Sequence, residues 1–278
     1  MEKITHKTAV QIIEQKDTNS VPFLVICDDA ELYYAKTIFK SHPPFEDLIN
    51  EILCVYSLEL MNVKTIPPAL ITIPQEVFEN FKKENKEFDT RYNNVAFDDV
   101  IFFGSLSKES TTEVEIYNTT LKNKFDYNKY KNPTDFLKIG VFDYWIGNMD
   151  RRASNPNILV NETIEGKFEF LPIDHTQAFA YQHNYKALKL ALMSNPHPKS
   201  ILRTRMSKSI INFADSKFMA NFHNEILADF DNVINNLDFV FDQIPNAFGL
   251  SKKGQKKIVE ILSNKERNLL VSKIHLNI

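Results

Sequence analysis

Three side chains that could bind a metal ion or move a proton follow one another in the middle of the sequence. Asp150 and Asn155 are five positions apart in the run NMDRRASN, and Asp174 follows in LPIDHTQAF. Carboxylate and amide oxygens are ligands that Mg²⁺ accepts from proteins, while water and phosphate oxygens complete its shell. A carboxylate that does not bind the metal can accept or orient a hydroxyl proton. The three residues therefore predict metal-assisted chemistry at a hydroxyl group.

A predicted β-hairpin would bring these residues to one site. The segments NILVN and KFEFLPID are strand-like and flank a turn at residues 162–166, while TDFLKIGVFDYWIG before the NMDRRASN run is typical of a helix that ends at Gly147. The hairpin begins just after Asn155 and ends just before Asp174, so its two ends lie side by side. We therefore expect Asp150, Asn155 and Asp174 to face one site.

The first part of the sequence alternates between strand-like and helix-like segments. The predicted strands are apolar and rich in β-branched or aromatic residues; they are VPFLVIC (21–27), ELYYAKTIFK (31–40), ALITIP (69–74) and DDVIFFGSL (98–106). FEDLINEILCVYSLELM (45–61) has a helical period, and QEVFENFKKENKEF is predicted to be a surface helix. EKITHKTAVQIIEQKD is predicted to be a short amphipathic element, and the chain from about residue 185 onward to be helical.

The spacing of the polar residues matches the arrangement of phosphoryl transfer in kinase folds. There a catalytic loop D-x-x-x-x-N is followed by a short hairpin and a metal-binding aspartate. DRRASN gives Asp150 and Asn155 this spacing, and Asp174 takes the metal-binding position. Lys36, in a predicted strand, is then placed to contact nucleotide phosphates. Glu51, on the following helix, is placed to pair with Lys36.

The sequence resembles the HipA-like kinases, a branch of the protein-kinase and phosphatidylinositol-kinase fold. The resemblance lies in YYAKTIF, LINEIL, FGSL, GNMDRRASNPNILV and PIDHTQAF, continues in the C-terminal helices, and covers roughly residues 20–270. It implies an α+β, two-lobed protein-kinase-like fold. A small β-rich N-lobe would span residues 1–105, and a larger, mostly helical C-lobe would span residues 106–278.

The resemblance also implies a role for each candidate residue. Asp150 would be the catalytic base or orient the hydroxyl, and Asn148 would either support Asp150 or lie near the substrate hydroxyl. ATP would lie between the lobes, with backbone groups near residues 102–106 meeting the adenine. The residues implied to bind the nucleotide with its Mg²⁺ are Lys36, Glu51, Phe102, Phe103, Gly104, Asn155 and Asp174, of which Asn155 and Asp174 would hold the metal. We also expect Arg151 to contact phosphate.

Some features depart from an ordinary protein kinase. The turn CDDAEL between the first two predicted strands has no glycine, so the usual lid over the phosphates is not visible. Asn148 and Met149 replace the His-Arg that precedes the catalytic aspartate, and His175 and Thr176 stand where protein kinases have Phe-Gly. HipA-like sequences tolerate such changes.

Several functions stay open at this point. The implied reaction is transfer of the γ-phosphate of ATP to a hydroxyl, of a Ser or Thr in a protein or in the chain itself. A pseudokinase or regulatory module would bind the nucleotide without transferring phosphate. A kinase acting on a lipid or small molecule and a metal-dependent phosphohydrolase are further alternatives.

Composition restricts the partners. The chain has 278 residues and a net charge of −3, so we expect no direct nucleic-acid partner. No signal peptide or membrane span is visible, and a cytoplasmic protein is expected. The resemblance implies a possible antitoxin-like protein partner. Cys27 and Cys54 lie in apolar contexts and are predicted to be buried free thiols, while the lysines around residues 252–257 are predicted to form a solvated helix face.

Overall fold

Strands in the first part of the chain close into a barrel. The computed structural model of the protein describes residues 2–16, 21–36, 42–85, 92, 95–108, 111–114, 121–182, 184–193 and 200–274. The barrel strands are β1 (Thr5–Gln15), β2 (Phe23–Cys27), β3 (Leu32–Lys36), β4 (Pro68–Thr72) and β5 (Ile101–Leu106). They are ordered β1-β2-β3-β5-β4, and β1 closes the barrel by pairing with β4 in parallel. The predicted strand 31–40 is observed as far as Lys36, and its last residues lie outside the described ranges.

Strand β1 corrects the prediction of an amphipathic element at the N-terminus. Its register against β2 shifts between Ala9 and Gln11 and again between Ile12 and Glu14. The first of these bulges places the buried residues Ala9 and Ile12 three positions apart, which is a helical rather than a strand spacing. The strand therefore does not have the alternation by which a sequence reveals a strand.

Two helices accompany the barrel strands in sequence. They are α1 (Glu46–Leu60) between β3 and β4, and α2 (Gln75–Glu84) between β4 and β5. Helix α2 has one apolar side, on which Phe78 and Phe81 are buried. Helix α1 is buried almost all around, which is typical of a helix enclosed by other elements on every side.

The second part of the chain combines a small sheet with helices. Strands β6 (Thr111–Glu113), β7 (Ile158–Glu162) and β8 (Phe168–Pro172) form an antiparallel sheet in that order. The helices are α3 (Lys124–Asn128), α4 (Asp135–Ile146), α5 (Arg205–Phe213), α6 (Ser216–Asn235), α7 (Leu237–Asp242), α8 (Lys252–Leu262) and α9 (Lys265–Ser272). The predicted hairpin β7–β8 is present, and α4 ends at Gly147 in the left-handed conformation, as the sequence indicates.

The buried apolar residues form two clusters. The smaller one fills the barrel and includes the stacked rings of Phe78 and Phe97, whose centroids are 3.9 Å apart. The larger one contains the apolar residues of α1 together with those of the C-terminal helices, and in it Trp145 stacks on Phe230 at 4.2 Å. Helix α1 thus packs with the C-terminal helices, while the strands on either side of it belong to the barrel. The proposed division at residue 105 stays a prediction.

The two cysteines are free and buried, as predicted. Cys27 lies in the barrel cluster and Cys54 in the larger cluster. Within the described ranges, no helix combines the length and the apolar character that crossing a membrane requires.

Candidate active site

Lys36 connects two acidic side chains that are far apart in sequence. Its Nζ lies 3.0 Å from Oε1 of Glu51 and 3.1 Å from Oδ1 of Asp174. Lys36 is the last residue of β3, Glu51 is on α1, and Asp174 follows β8, so the contact joins the barrel, the enclosed helix and the small sheet. We call these three residues the cleft triad. The predicted pair of Lys36 and Glu51 is present in the structure.

The contact between Lys36 and Glu51 keeps both of these groups charged. Burial of the Glu51 carboxyl favours a higher pKa, but the ammonium of Lys36 and donors from His175 outweigh it and lower the pKa to about 2. Burial of Lys36 favours a lower pKa, but Glu51 and Asp174 together raise it above its ordinary value. Only 3% of the Glu51 side chain is exposed, against 34% for Asp174, so Asp174 is the member that faces solvent.

His175 supports Glu51 from the buried side. Its backbone N–H donates to Oε2 of Glu51 at 3.1 Å, and its Nδ1 lies 3.4 Å from the same oxygen. The imidazole is fully buried, and this burial lowers its pKa even though Glu51 acts to raise it. His175 is therefore a local support for the triad.

Asp150 is surrounded by donors within its own loop, residues 148–157, which we call the Asp150 loop. Asn155 Nδ2 donates to Oδ2 of Asp150 at 2.9 Å, and Asn157 Nδ2 reaches the same oxygen at 3.4 Å. Arg152 donates to Oδ1 at 3.2 Å. Because the amide nitrogen of Asn155 faces Asp150, its amide oxygen is directed elsewhere and is available as a metal ligand.

Asn148 holds the start of this loop. Its Oδ1 accepts the backbone N–H of Asp150 at 3.2 Å, and its Nδ2 donates to Oδ1 of Asp143 at 3.0 Å. Asn148 is only 7% exposed. Both ends of its amide are thus engaged within the loop and α4, which fits the predicted support of Asp150.

Arg151 does not face a phosphate site, in contrast to the expectation from the sequence. Its side chain is fully buried, and its Nε lies 2.9 Å from Oδ2 of Asp143 on α4. Its guanidinium also donates to the carbonyl of Pro156 at 3.0 Å, to that of Asn157, and to that of Ile173 at 3.1 Å. Arg151 therefore ties α4, the Asp150 loop and the residue before Asp174 together.

The connection between the Asp150 loop and Asp174 runs through backbone and Arg151. Ile173 donates its N–H to the carbonyl of Asn157 at 2.9 Å. No hydrogen bond within the described residues joins Asp150 or Asn155 directly to Asp174. The structure thus forms two contact groups, the cleft triad and the Asp150 loop, and fixes them to each other through Ile173.

Asp174 itself has an unusual backbone. Its φ is 56°, in the left-handed region that a non-glycine residue adopts only at a cost. Thr176 Oγ1 donates to the same carboxylate oxygen that Lys36 contacts, at 3.1 Å. Such strain is found where neighbouring contacts impose it, and here it directs the carboxylate toward Lys36.

Asn50, next to Glu51, fixes α1 to the segment after Asp174. Its Nδ2 donates to the carbonyl of Thr176 at 2.8 Å and to that of Ala178 at 3.3 Å, while its Oδ1 accepts from the hydroxyl of Tyr185 at 2.5 Å. Asn50 and Tyr185 are buried. Sequence reasoning missed both residues, and the only signal was an amide beside Glu51 on a largely apolar helix.

A cavity of about 460 Å³ opens beside the cleft triad. It lies between the barrel and the small sheet, and its wall includes Tyr34, Val55 and Leu159 as well as the triad. Such a size is in the range of sites for small ligands and cofactors. Of the three predicted base-contacting residues, Phe103 lines this cavity.

The side chain of Phe102 and the Cβ direction of Gly104 face away from the cavity. Phe102 is part of the barrel cluster, and a Cβ at Gly104 would lie 2.3 Å from Cδ1 of Ile71. Alternation along β5 explains this, because neighbouring residues of a strand face opposite sides. The cavity wall continues instead through residues 105–108. The contact predicted for Phe102 and Gly104 is made by backbone groups, so the direction of their side-chain positions does not test it and it stays a prediction.

The turn CDDAEL is not positioned as a phosphate lid. Asp29 in this turn pairs with Lys7 at 2.7 Å and accepts from Tyr33 at 2.9 Å. Because β1 precedes VPFLVIC in the barrel, CDDAEL connects β2 to β3 and does not join the first two strands of the chain. Lys16, directly after β1, and Pro22, directly before β2, are in the cavity wall.

The donor set suits one small hard cation. Asn155 would supply an amide oxygen and Asp174 a carboxylate, and two protein ligands are the small number that Mg²⁺ takes when phosphates complete its shell. Within the described ranges, no group of three or more His, Cys, Asp or Glu side chains could hold a metal by itself. The predicted roles of Asn155 and Asp174 are compatible with this geometry and stay predictions.

Similarity to known proteins is consistent over nearly the whole chain. The family model described as HipA-like kinase matches residues 9–274. The chain belongs to the HipA-like kinase family. No curated protein matches this HipA-like kinase.

Solved structures agree with the family at the level of the fold. The crystal structure of the Helicobacter pylori proinflammatory kinase CtkA is similar with a TM-score of 0.58 and 14% identity, over 99% of this chain and 98% of that one. The Golgi casein kinase with Mn/ADP bound has a TM-score of 0.44 and 14% identity, over 98% of this chain and 74% of that one. The predicted α+β kinase-like fold is confirmed by the similarity to CtkA.

Proposed function

We propose that this HipA-like kinase binds ATP with Mg²⁺ in the cavity and transfers the γ-phosphoryl group to a hydroxyl, of a Ser or Thr in a protein or in the chain itself. The observation that carries the proposal is Lys36, held between Glu51 and Asp174 at the cavity wall. The Nζ of Lys36 is poised to contact phosphate oxygens, and Glu51 fixes its position. A metal ion, when bound, would neutralise charge on the transferring group.

The chain's own residues would supply positioning and charge. Asp174, the exposed member of the triad, and the free amide oxygen of Asn155 would hold the metal. Asp150 would orient the acceptor hydroxyl and accept its proton, with its carboxylate fixed by Asn155, Asn157 and Arg152. Preorganised groups of this kind act without rearrangement at the moment of transfer, which is the main contribution that a kinase site makes.

The test is transfer from labelled ATP by the wild type and by Asp150→Ala, with mass spectrometry on the labelled product. We expect the Asp150→Ala rate to fall by about 10²–10⁴, the contribution typical of a positioned base. Equal rates for the two proteins would contradict the role of Asp150. Labelled lipid or small molecule in place of protein would redirect the proposal to another acceptor class.

Nucleotide binding separates the two groups of residues. Calorimetric titration with Mg-ADP should give weaker binding for Asp174→Ala than for Asp150→Ala, because only Asp174 is assigned to the metal. Equal affinities would remove this division of roles.

A pseudokinase is the second candidate. The sequence between β1 and β2, KDTNSVP, contains no glycine, which is the residue type that lets a backbone approach phosphates closely. Nucleotide binding by the wild type without any transfer or ATP turnover would establish this alternative.

A further inference from the structure

The segment that follows Asp174 carries charge of one sign only. Residues 175–214 contain no Asp or Glu, and their lysines and arginines are Lys186, Lys189, Lys199, Arg203, Arg205 and Lys208. The stretch from residue 215 to residue 250 is predominantly acidic, and Lys217 is its only Lys or Arg. Its acidic residues are Asp215, Glu225, Asp229, Asp231, Asp238 and Asp242. A chain with a net charge of −3 thus concentrates positive charge directly after its predicted metal ligand.

Three of these cations lie together around the start of α5. Arg203 ends a short helical turn, Arg205 is the first residue of α5, and Lys208 is one turn further along the same helix side. All three are exposed, whereas Met206, Ser207 and Ile210 point inward. No ion pair among the described residues involves any of the three. We call Arg203, Arg205 and Lys208 the basic face.

The basic face is anchored beside the Asp150 loop. Ser200 forms a β-bridge with Arg152 of this loop. Leu202 packs against Gly140 of α4, where an added Cβ would lie 2.5 Å from Cγ of Leu202. Five residues of chain reach at most about 18 Å, so Arg205 lies within that distance of Ser200. Ser200 is bridged to Arg152, two residues from Asp150, so Arg205 lies within about 30 Å of Asp150, a span that about nine extended residues of a bound peptide cover.

The position of these cations is unfavourable for α5 itself. The N-terminus of a helix has a positive end charge, and acidic side chains normally stabilise it. The first turn of α5 contains no acidic residue and begins with Arg205. The helix end and the basic face add their potentials, so an anion from outside the chain would relieve the repulsion.

We propose that the basic face binds an acidic segment of the acceptor protein and so selects hydroxyls with acidic residues nearby. This inference rests on the proposed transfer to a protein hydroxyl and names its substrate class. An acidic peptide is favoured over single-stranded nucleic acid because proteins bind the latter with stacking aromatics among the cations. Among the described residues 200–214, the only aromatic is Phe213, which is half-buried at the far end of α5.

Binding is tested without nucleotide, so the result does not depend on transfer. The probes are a fluorescent peptide with one serine among glutamates, the same peptide with lysines, and a single-stranded oligouridylate. The variant Arg205→Glu/Lys208→Glu is compared with Lys253→Glu/Lys256→Glu, an equal charge reversal at exposed positions of α8. Thermal melting of both variants checks that they fold.

The wild type should bind the glutamate peptide and not the lysine peptide. Reversal of the basic face should weaken this binding by about tenfold, as expected when two exposed charge contacts become repulsive, while the α8 variant stays within about twofold. Equal binding of the two peptides, or equal loss in both variants, would overturn the proposal. Oligouridylate that binds more tightly and is lost with the basic face would assign the surface to nucleic acid instead.

A transfer measurement then connects the surface to the reaction. With ATP, the glutamate peptide should be the better acceptor, and Arg205→Glu/Lys208→Glu should raise its KM without changing the KM for ATP. If the peptide binds but receives no phosphate from the wild type or from either variant, the proposed function fails while the binding surface stands. If phosphate goes equally to both peptides, the substrate preference fails while the kinase stands.

Discussion

The cleft triad and the Asp150 loop use the same kinds of side chain in opposite ways. The triad joins residues that are 15 and 138 positions apart, and its Asp174 faces solvent. The Asp150 loop is held mainly by contacts of two to eight positions, centred on an Arg151 that is fully buried and that also reaches Ile173 across 22 positions. The triad presents charges to a ligand, while Arg151 and Asp143 use theirs to hold backbone in place. Removing a charge should therefore affect binding in one region and stability in the other.

The largest expected effect is on stability, in Arg151→Met. This change leaves the buried Asp143 without its partner and frees three backbone carbonyls, so we expect a loss of about 3–5 kcal/mol in the free energy of unfolding. Arg152→Met is the matched control: its side chain is 37% exposed and its ion pair with Asp150 should contribute less than about 1 kcal/mol. Urea denaturation measures both. Similar losses for the two variants would refute the buried role of Arg151.

Lys36→Met should lower activity strongly and stability only modestly, the opposite of Arg151→Met. Without the ammonium, phosphate loses its cationic contact, and we expect transfer from ATP to fall by about 10²–10³, as when one stabilising donor is removed. The loss of stability should be smaller than in Arg151→Met, because Glu51 can keep the N–H of His175. Lys7→Met is the control, since Lys7 also forms an ion pair in the barrel but with Asp29, away from the cavity. If Lys36→Met lost more stability than Arg151→Met, the triad and the Asp150 loop would not differ as proposed.

Asn148→Ala should lower both the stability of the fold and the rate of transfer. It removes a donor to Asp143 and an acceptor for the N–H of Asp150, so we expect about 1–3 kcal/mol of destabilisation. Transfer should become about tenfold slower, with the KM for ATP unchanged, because the hydroxyl-orienting carboxylate loses its alignment. Asn161→Ala removes a comparable contact to Glu169 on the β7–β8 hairpin and should leave the rate unchanged. A rate loss in both variants would mean that stability alone lowers activity.

The smallest effect concerns the thiol between the two regions. Burial raises the pKa of Cys54, and the carboxylates of Glu51 and Asp143 act in the same direction, so the thiol stays protonated at pH 8. Iodoacetamide should therefore leave Cys54 unmodified in the folded protein. Labelling should become measurable in Arg151→Met and remain slow in Lys36→Met, as followed by mass spectrometry. Equal labelling in both would show that the two regions loosen together.

What the sequence predicted well was local. Asp150 and Asn155 come into contact because their spacing and the hairpin after them are encoded within one short stretch. The pairing of Lys36 with Glu51 followed from the kinase arrangement, although no local pattern specifies it. Strand β1 was not recognised because a bulge replaces its alternation with a spacing of three. CDDAEL was therefore placed between the first two strands, although it connects β2 to β3.

Other features could not be predicted because they depend on distant partners. The guanidinium of Arg151 is indistinguishable in sequence from that of Arg152, yet Arg151 points inward to Asp143 and carbonyls. Asn50 meets Tyr185 across 135 positions of chain. Alternation along β5 separates Phe103 from Phe102 and Gly104, but only the closed barrel decides which side faces the cavity.

The attachment of α1 sets how often the site is assembled. Swinging this helix outward would break the hydrogen bonds of Asn50 to Thr176 and Tyr185, as well as those of Glu51 to His175 and Lys36. Each of these hydrogen bonds contributes about 1 kcal/mol net. The state with α1 swung outward is therefore about 3–5 kcal/mol higher in free energy than the state in this structure, and fewer than about one per cent of the molecules occupy it. Many kinases are controlled by positioning this helix and its ion pair. In this structure α1 keeps these contacts, so a partner that moved the helix outward would have to overcome that free-energy difference.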